Sequence, residues 1–472
     1  MKPQTDKRQR RRDFLGAIVC GMTGAQAALS GRSVLAASAG PSLQAGEGVV
    51  DITPPLGIEM AGFHRRPGNE RLVKGIRQPT AARALVLQLG ETRVAICSLE
   101  VTAVGRDMAG RIQQGVAART GIPAQNVRVC ATHTHSMPAF CFLRQWGSIS
   151  ESYMTSVESK TVEAVRLAVA DLAPAEVALG KARVAGGNHN RTTKSYKKDD
   201  QFAKDSTDED RWLDTMLHAL LLERAGGKRR LLWYHFSAHP VCFTDDLAGP
   251  DWVGMVAERV QNNEKLSAAF LQGHCGDVNP GDGIKSWLGE PGQTTGAVYS
   301  ALQQALRSAT RVKVARLRSQ ARPFALPLDL GRRKEWLTTY QNDPAKCTGG
   351  PWVDADFAKA WFADNVQRDL RDPTLAIPLG AVALGDVGLV FHPAELYSYY
   401  GLAIRRDSPF ADTLVVGYAD DCIGYLPDPK AYAAGEYAAI VVPKILDVGP
   451  FTPTAAREMT AAAVALLRQT VA

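Results

Sequence analysis

Short apolar runs alternate with longer amphipathic stretches along this chain, and their order predicts an α/β protein. Gly48-Val49-Val50-Asp51-Ile52 reads as a strand stopped by Pro54-Pro55, and 84–89 with 93–99 about Gly90 as a β-hairpin apolar on both faces. The spacing predicts a helix over 106–119, a turn at Gly121-Ile122-Pro123 and a strand over 127–130, which leads into Thr132-His133-Thr134-His135-Ser136. Further helices are predicted over 153–172, 252–261, 292–309, from about 396 to 406 and over 454–471. Strands are predicted over 177–184, 231–237, 268–273, 382–391 and 413–417. The charged stretch 194–210 reads as a solvated loop, 420–437 as a second loop, and 311–362 as irregular. No repeat or linker divides the chain. The expected fold class is therefore α/β: a single large domain of mixed β-sheet flanked by helices.

The first residues change the reading of charge. Lys7-Arg8-Gln9-Arg10-Arg11-Arg12-Asp13-Phe14-Leu15, a short apolar run and Ala37-Ser38-Ala39 form a cleavable export signal over 1–39, similar to the twin-arginine type, with 40–472 as the mature domain. That segment carries seven basic and two acidic side chains, so +5 of the formal +7 leaves with it. The remainder has no basic footprint for nucleic acid. The expected location is periplasmic or secreted. Seven cysteines remain after cleavage, an odd number without a C-x-x-C pair; this argues against a disulfide scaffold or zinc ribbon and leaves room for one disulfide.

Candidate chemistry gathers at strand ends. Two histidines at i and i+2 of an extended strand share a side, so His133 and His135 face one spot if the strand continues through them. Arg191, His239, Asp277, Glu395, Tyr425 and Tyr437 also follow apolar runs, which suggests one rim where several strands end. A catalytic zinc takes about three protein ligands and leaves a position for water; two histidines and a glutamate meet that need. G-x-S-x-G, H-E-x-x-H and P-loop signatures are absent from the sequence.

These segments carry a resemblance. Asp51-Ile52-Thr53 with Met60-Ala61-Gly62, the His133/His135 motif, Asn190-Arg191, Ala238-His239-Pro240, Gly276-Asp277-Val278-Asn279-Pro280, Pro393-Ala394-Glu395 and the Tyr425…Tyr437 pair stand in the order found in neutral/alkaline ceramidases. The resemblance covers about residues 46–440. It implies zinc held by His133, His239, Glu395 and Tyr425, proton transfer by His135, and a substrate head group held by Arg191 and Tyr437. It also implies a lipid or small-molecule amide as substrate, met in transient contact with a membrane surface.

The chain departs from the family pattern at three points. Asn279, placed here at the substrate, stands where the family has serine, so a serine nucleophile is excluded at that position. Arg77 stands where a histidine is usual, and the family's C-terminal β-sandwich domain is not expected in this chain. The leading expectation is a zinc amidohydrolase splitting ceramide into sphingoid base and fatty acid. The alternatives are a zinc hydrolase of another amide or ester, and a non-catalytic binding protein with the same fold. Retention of His133, His135, His239 and Glu395 favours the enzymes over the last. Met137, Phe140, Phe142 and Trp146 are candidates for a lipid groove.

Overall fold

A computed structural model describes residues 42–347 and 353–471. The expected leader lies outside the described residues, as do 348–352. Three parallel strand pairs organise the fold: Thr92–Leu99 with Val127–Ala131, Leu231–Phe236 with Ser267–Gln272, and Val387–Phe391 with Asp412–Val416. The first two pairs form opposite ends of a nine-stranded sheet. Between them run the antiparallel strands Ala81–Leu89, Gln44–Asp51, Ala173–Arg183 and Met216–Arg224, and Thr310–Val312 pairs with Ala173–Arg183. The third pair belongs to a four-stranded sheet completed by Leu317–Pro327 and Thr374–Leu384.

The long sheet curls until its ends meet. The Ser98 hydroxyl donates to the Phe270 carbonyl at 2.6 Å, and the Gln272 amide donates to the Thr132 carbonyl at 3.1 Å. The strap after Val416 ties in the second sheet: Gly417 N–H donates to Gln272 O and Ala131 N–H to Tyr418 O, each at 3.0 Å. The carboxyl ends of all three parallel pairs therefore converge.

The two sheets pack face to face through Leu85, Val94, Ile96, Trp233 and Leu271 on one and Val382, Leu389, Phe391 and Leu414 on the other. Helices Arg106–Thr120, Glu151–Ala170, Trp252–Glu264 and Pro291–Arg307 cover the outer face of the long sheet. Ala455–Val471, Ser398–Asp407, Leu330–Asn342 and Ala355–Asn365 cover the short one. The result is a helix–sheet–sheet–helix stack. Close approach explains Gly46 and Gly48: a Cβ at either would run into the Ala168 or Ala164 carbonyl of the facing helix.

The mixed sheet flanked by helices holds, with a second sheet in addition. Three local expectations are corrected. The segment 311–362 is regular over most of its described length, as the strand Leu317–Pro327 and helices Leu330–Asn342 and Ala355–Asn365. Its strand buries only Leu317 and Leu326 and contains Pro323, both consistent with a sheet edge. The run 382–391 is a hairpin broken at Gly385 (φ 61°), and Met216–Arg224 is a strand that the pattern did not predict. The loop 194–210 is largely exposed, as expected, and 420–437 contains the helix Pro429–Ala433. No described helix is long and apolar enough to cross a membrane.

Four of the nine histidines, His218, His235, His274 and His392, are buried together in the interior, with ring centroids 5.8 Å apart for His218–His235 and 6.3 Å for His235–His274. Asp214 is held there between Arg405 and His274, each at 2.8 Å. Burial, reinforced by Arg405 and His274, pushes His235 down to about 3; burial with His274 and His235 does the same to His392. The unfolded chain titrates these rings near 6.5, so between 6.5 and 3 it binds protons that the fold excludes. Stability is therefore full above 6.5 and falls as pH drops, by ~1.4 kcal/mol per pH unit for each such ring. His235→Gln is expected to flatten this fall by about one proton in urea titrations from pH 4 to 7. An unchanged slope would remove His235 from the account.

Candidate metal centre

The strand Val127–Ala131 ends one residue before Thr132, and His133 follows with φ 65°, an uncommon left-handed conformation for a non-glycine residue. The extended-strand expectation for His133 and His135 is thus corrected. Their rings meet, centroids 4.8 Å apart, because the chain turns at His133. The turn is held by His133 N–H to Val101 O at 3.1 Å and by Arg71, whose buried guanidinium donates to the carbonyls of Ala61 and His135. Gly62 (φ 106°) permits the contact, since a Cβ there would lie 2.6 Å from His135 Cα.

His239 follows the strand Leu231–Phe236, and its backbone N–H donates to Val278 O at 3.2 Å. The Nδ1 atoms of His133 and His239 lie 2.8 Å from the carbonyls of Thr102 and Val278. Carbonyls only accept, so each Nδ1 carries a proton, and in the neutral ring Nε2 is the nitrogen with the lone pair. Both Nε2 atoms face Glu395 Oε2, at 3.5 Å from His133 and 3.3 Å from His239. His135 Nε2 is 3.2 Å from His133 Nε2, and the three imidazoles offer nitrogens all within 4.8 Å of one another.

Burial, then the charge of Arg191, pushes His239 down to about 4, and burial with His133 and His239 holds His135 well below its ordinary value. Burial alone would raise Glu395, but His133 and His239 outweigh it and keep the carboxyl well below the usual range. With the rings neutral, imidazoles and carboxylate would present acceptors to acceptors in a dry site. That arrangement is unfavourable unless a proton or cation lies between them. Two imidazoles whose other nitrogens are anchored to the backbone, plus a carboxylate, are a donor set that suits zinc.

Glu395 and Tyr425 are paired opposite each other where Glu395–Leu396 runs parallel to Tyr425–Leu426. The Tyr425 hydroxyl bonds Glu395 and accepts from Arg191 at 2.7 Å. Arg191 also donates to Gly276 O at 2.8 Å and Asn279 Oδ1 at 3.2 Å. Burial works against its charge, but Tyr425, Glu395 and Tyr397 more than offset this. Asn279 is fully buried behind Arg191, and its amide nitrogen is taken by the Trp287 carbonyl at 2.7 Å. Tyr437, 40% exposed, stands at the mouth with its ring 6.4 Å from that of Tyr425. Asp277 is a support: it accepts from the Ser398 N–H and hydroxyl at 2.8 Å and from Asn190 at 2.9 Å.

Sequence reasoning missed Arg71 and Tyr418. Tyr418 stacks on His133 with centroids 4.2 Å apart and bonds Cys275 Sγ at 3.1 Å. For Tyr418 no local signal existed; for the Arg71 cradle the glycine of Met60-Ala61-Gly62 was one. Above the centre runs a narrow cleft walled by Leu143, Trp146, Tyr437, Val442, Ile445 and Leu446. Its free volume is about 20 Å³, room for one water, so a larger ligand enters only if the aromatic walls move. Of the four groove candidates only Trp146 reaches it: Met137 and Phe140 are core, and Phe142 faces solvent outside.

Residues 43–292, more than half of the chain, match the family model for the N-terminal part of neutral/alkaline non-lysosomal ceramidase. The neutral ceramidase of Mycobacterium tuberculosis is 25% identical over 267 residues, 50% of this chain, and the match spans 40% of that protein's length. Among solved structures, neutral ceramidase from Pseudomonas aeruginosa superposes with a TM-score of 0.68 at 19% identity, covering 91% of this chain and 75% of the other. A ceramidase complexed with C2 gives 0.65 at 18% identity, with the same coverages. These two show the shared fold. The chain belongs to the neutral/alkaline non-lysosomal ceramidase family.

Proposed function

We propose that this chain is an exported, zinc-dependent amidohydrolase that splits an N-acyl amide of the ceramide type into a fatty acid and an amine. The observation carrying this reading is the convergence of His133 Nε2, His239 Nε2 and Glu395 Oε2 on one another in a buried site. Tyr425 completes the set beside Glu395. A zinc ion held there would supply Lewis acidity toward a water and an acyl oxygen. His135 accepts a proton at Nε2 from the attacking water and returns it to the leaving nitrogen; burial, which keeps the ring neutral, suits the accepting step. Arg191 fixes the Tyr425 hydroxyl, and Tyr437 at the mouth meets the polar head of the substrate. The apolar wall of Leu143, Trp146, Val442 and Leu446 suits an acyl chain, with substrate drawn from a membrane surface. The basic leader over 1–39 is the ground for export through the twin-arginine route.

A second reading, a zinc hydrolase of a more polar amide or ester, is favoured by Asn279 at the position of the family serine. The test is the metal content of the purified mature protein together with fatty-acid release from labelled ceramide. Stoichiometric zinc with cleavage is the expected result. Zinc without cleavage points to the second reading, and absence of stoichiometric metal sinks both.

A further inference from the structure

Cys141 and Cys422 lie far apart in sequence, are both partly exposed, and pack on one small apolar cluster, where the Cys141 thiol and burial push that of Cys422 up. Two independent constraints place them there. On one side Val104 bridges Phe140, Gly105 N–H donates to Phe140 O at 3.0 Å, and a Cβ on Gly105 would lie 3.3 Å from Cys141 Cβ. On the other, Asp421 Oδ1 accepts from Arg106 N–H at 3.1 Å and Cys422 N–H at 2.8 Å, while Arg106 Nε donates to Oδ2 at 2.9 Å. The start of helix Arg106–Thr120 thus clamps both segments, and both cysteines pack on Ala61, Ala103 and Ala139.

The surroundings give the pair access and consequence. Both residues line an open surface cavity of about 760 Å³, large enough to admit a tripeptide disulfide. Cys422 also lines the cleft beside Leu143, Trp146 and Tyr425. Cys97, Cys130, Cys275 and Cys347 are buried, and Cys242, also partly exposed, lines neither of these cavities.

The geometry points to a disulfide between Cys141 and Cys422 that fixes the wall of the cleft. The oxidant is a small-molecule disulfide such as oxidised glutathione. The Cys141 thiolate attacks one glutathione sulfur, breaking that S–S bond and releasing glutathione thiolate; Cys422, losing its proton, then attacks the Cys141 sulfur and releases the second. Two protein thiols become one disulfide, one glutathione disulfide becomes two thiols, and the protons pass to the released thiolates. The new bond ties the segment carrying Leu143 and Trp146 to the one leading into Tyr425.

The mature protein, wild type and the Cys141→Ser and Cys422→Ser variants, would be equilibrated with oxidised glutathione, alkylated, digested and mapped by mass. Thermal unfolding would be followed with and without a phosphine reductant. The expected result is a linked Cys141–Cys422 peptide, and a wild-type midpoint that falls by at least about 3 °C on reduction while neither variant responds. Full alkylation of both cysteines after oxidation, or linkage of another pair, would overturn the assignment. A linked peptide with an unchanged midpoint would overturn the claim that the bond fixes the wall.

Discussion

Glu395→Gln is expected to lower hydrolysis by at least about 10³-fold while leaving the fold intact, and after chelation to leave the protein as stable as wild type or more so. Among the described residues the carboxylate is the one anion facing His133 and His239, at 3.5 and 3.3 Å. Removing its charge weakens cation binding and any stabilisation of developing charge, a loss of ~4 kcal/mol or more at the transition state. The amide has the same shape, but its NH₂ can donate to an imidazole lone pair. The acceptor-to-acceptor conflict of the stripped site is then relieved. The two proteins should respond oppositely to zinc: wild type rises in unfolding midpoint with zinc concentration as binding to the native state requires, and the variant rises little. Comparing kcat/KM, zinc stoichiometry and urea midpoints of the two checks each part. A chelated variant markedly less stable than chelated wild type would show that Glu395 also holds the fold.

Asp420→Ala should produce the largest stability loss away from the candidate metal centre, about 3–5 kcal/mol in urea unfolding. Asp420 and Arg128 form an ion pair in which both side chains are almost wholly buried, at 4% and 3% exposure. The carboxylate also accepts from Val129 N–H at 2.8 Å and from the Gln113 amide at 3.1 Å. Truncation leaves a buried guanidinium without its counter-charge beside an unpaired backbone donor. The double variant Arg128→Met, Asp420→Leu should recover most of the loss, because the cost lies in the orphaned charge. Asp420 N–H also donates to Val129 O at 2.8 Å, tying the strap to the strand that delivers His133, so the single variant should bind zinc less tightly as well. If the single and double variants prove equally destabilised, the orphaned-charge account fails.

The candidate site was more legible in the sequence than the sheet that supports it. His133, His239 and Glu395 could be marked because each follows a continuous apolar strand, and such strands end at a common rim in α/β folds. The four-stranded sheet was half missed because Leu317–Pro327 is an edge strand with few buried positions, which carries little hydrophobic periodicity. Helix Leu330–Asn342 buries only Arg333, Trp336 and Tyr340, a pattern too polar to stand out, although Asp329 and Asp354 are N-caps that a capping search could have found. Asn279 and Arg191 show the limit of position-by-position reading. Their placement after strands was legible, but their bonding to each other and to Tyr425 depends on long-range register. Tyr418 depends on a strained strap conformation (φ 55°) that no local pattern encodes.

The convergence of three parallel strand pairs has a consequence for how the protein is made. Positions 133, 239 and 395 follow strands of different pairs, and Glu395 comes after a strand of the second sheet. A nascent chain that has formed only the long sheet holds the imidazoles without the carboxylate. Full cation affinity therefore arises only after the slow, non-local docking of the two sheets. On the proposed reading, metal capture would be a late event in biogenesis, and tightly bound metal would mark molecules whose folding is complete.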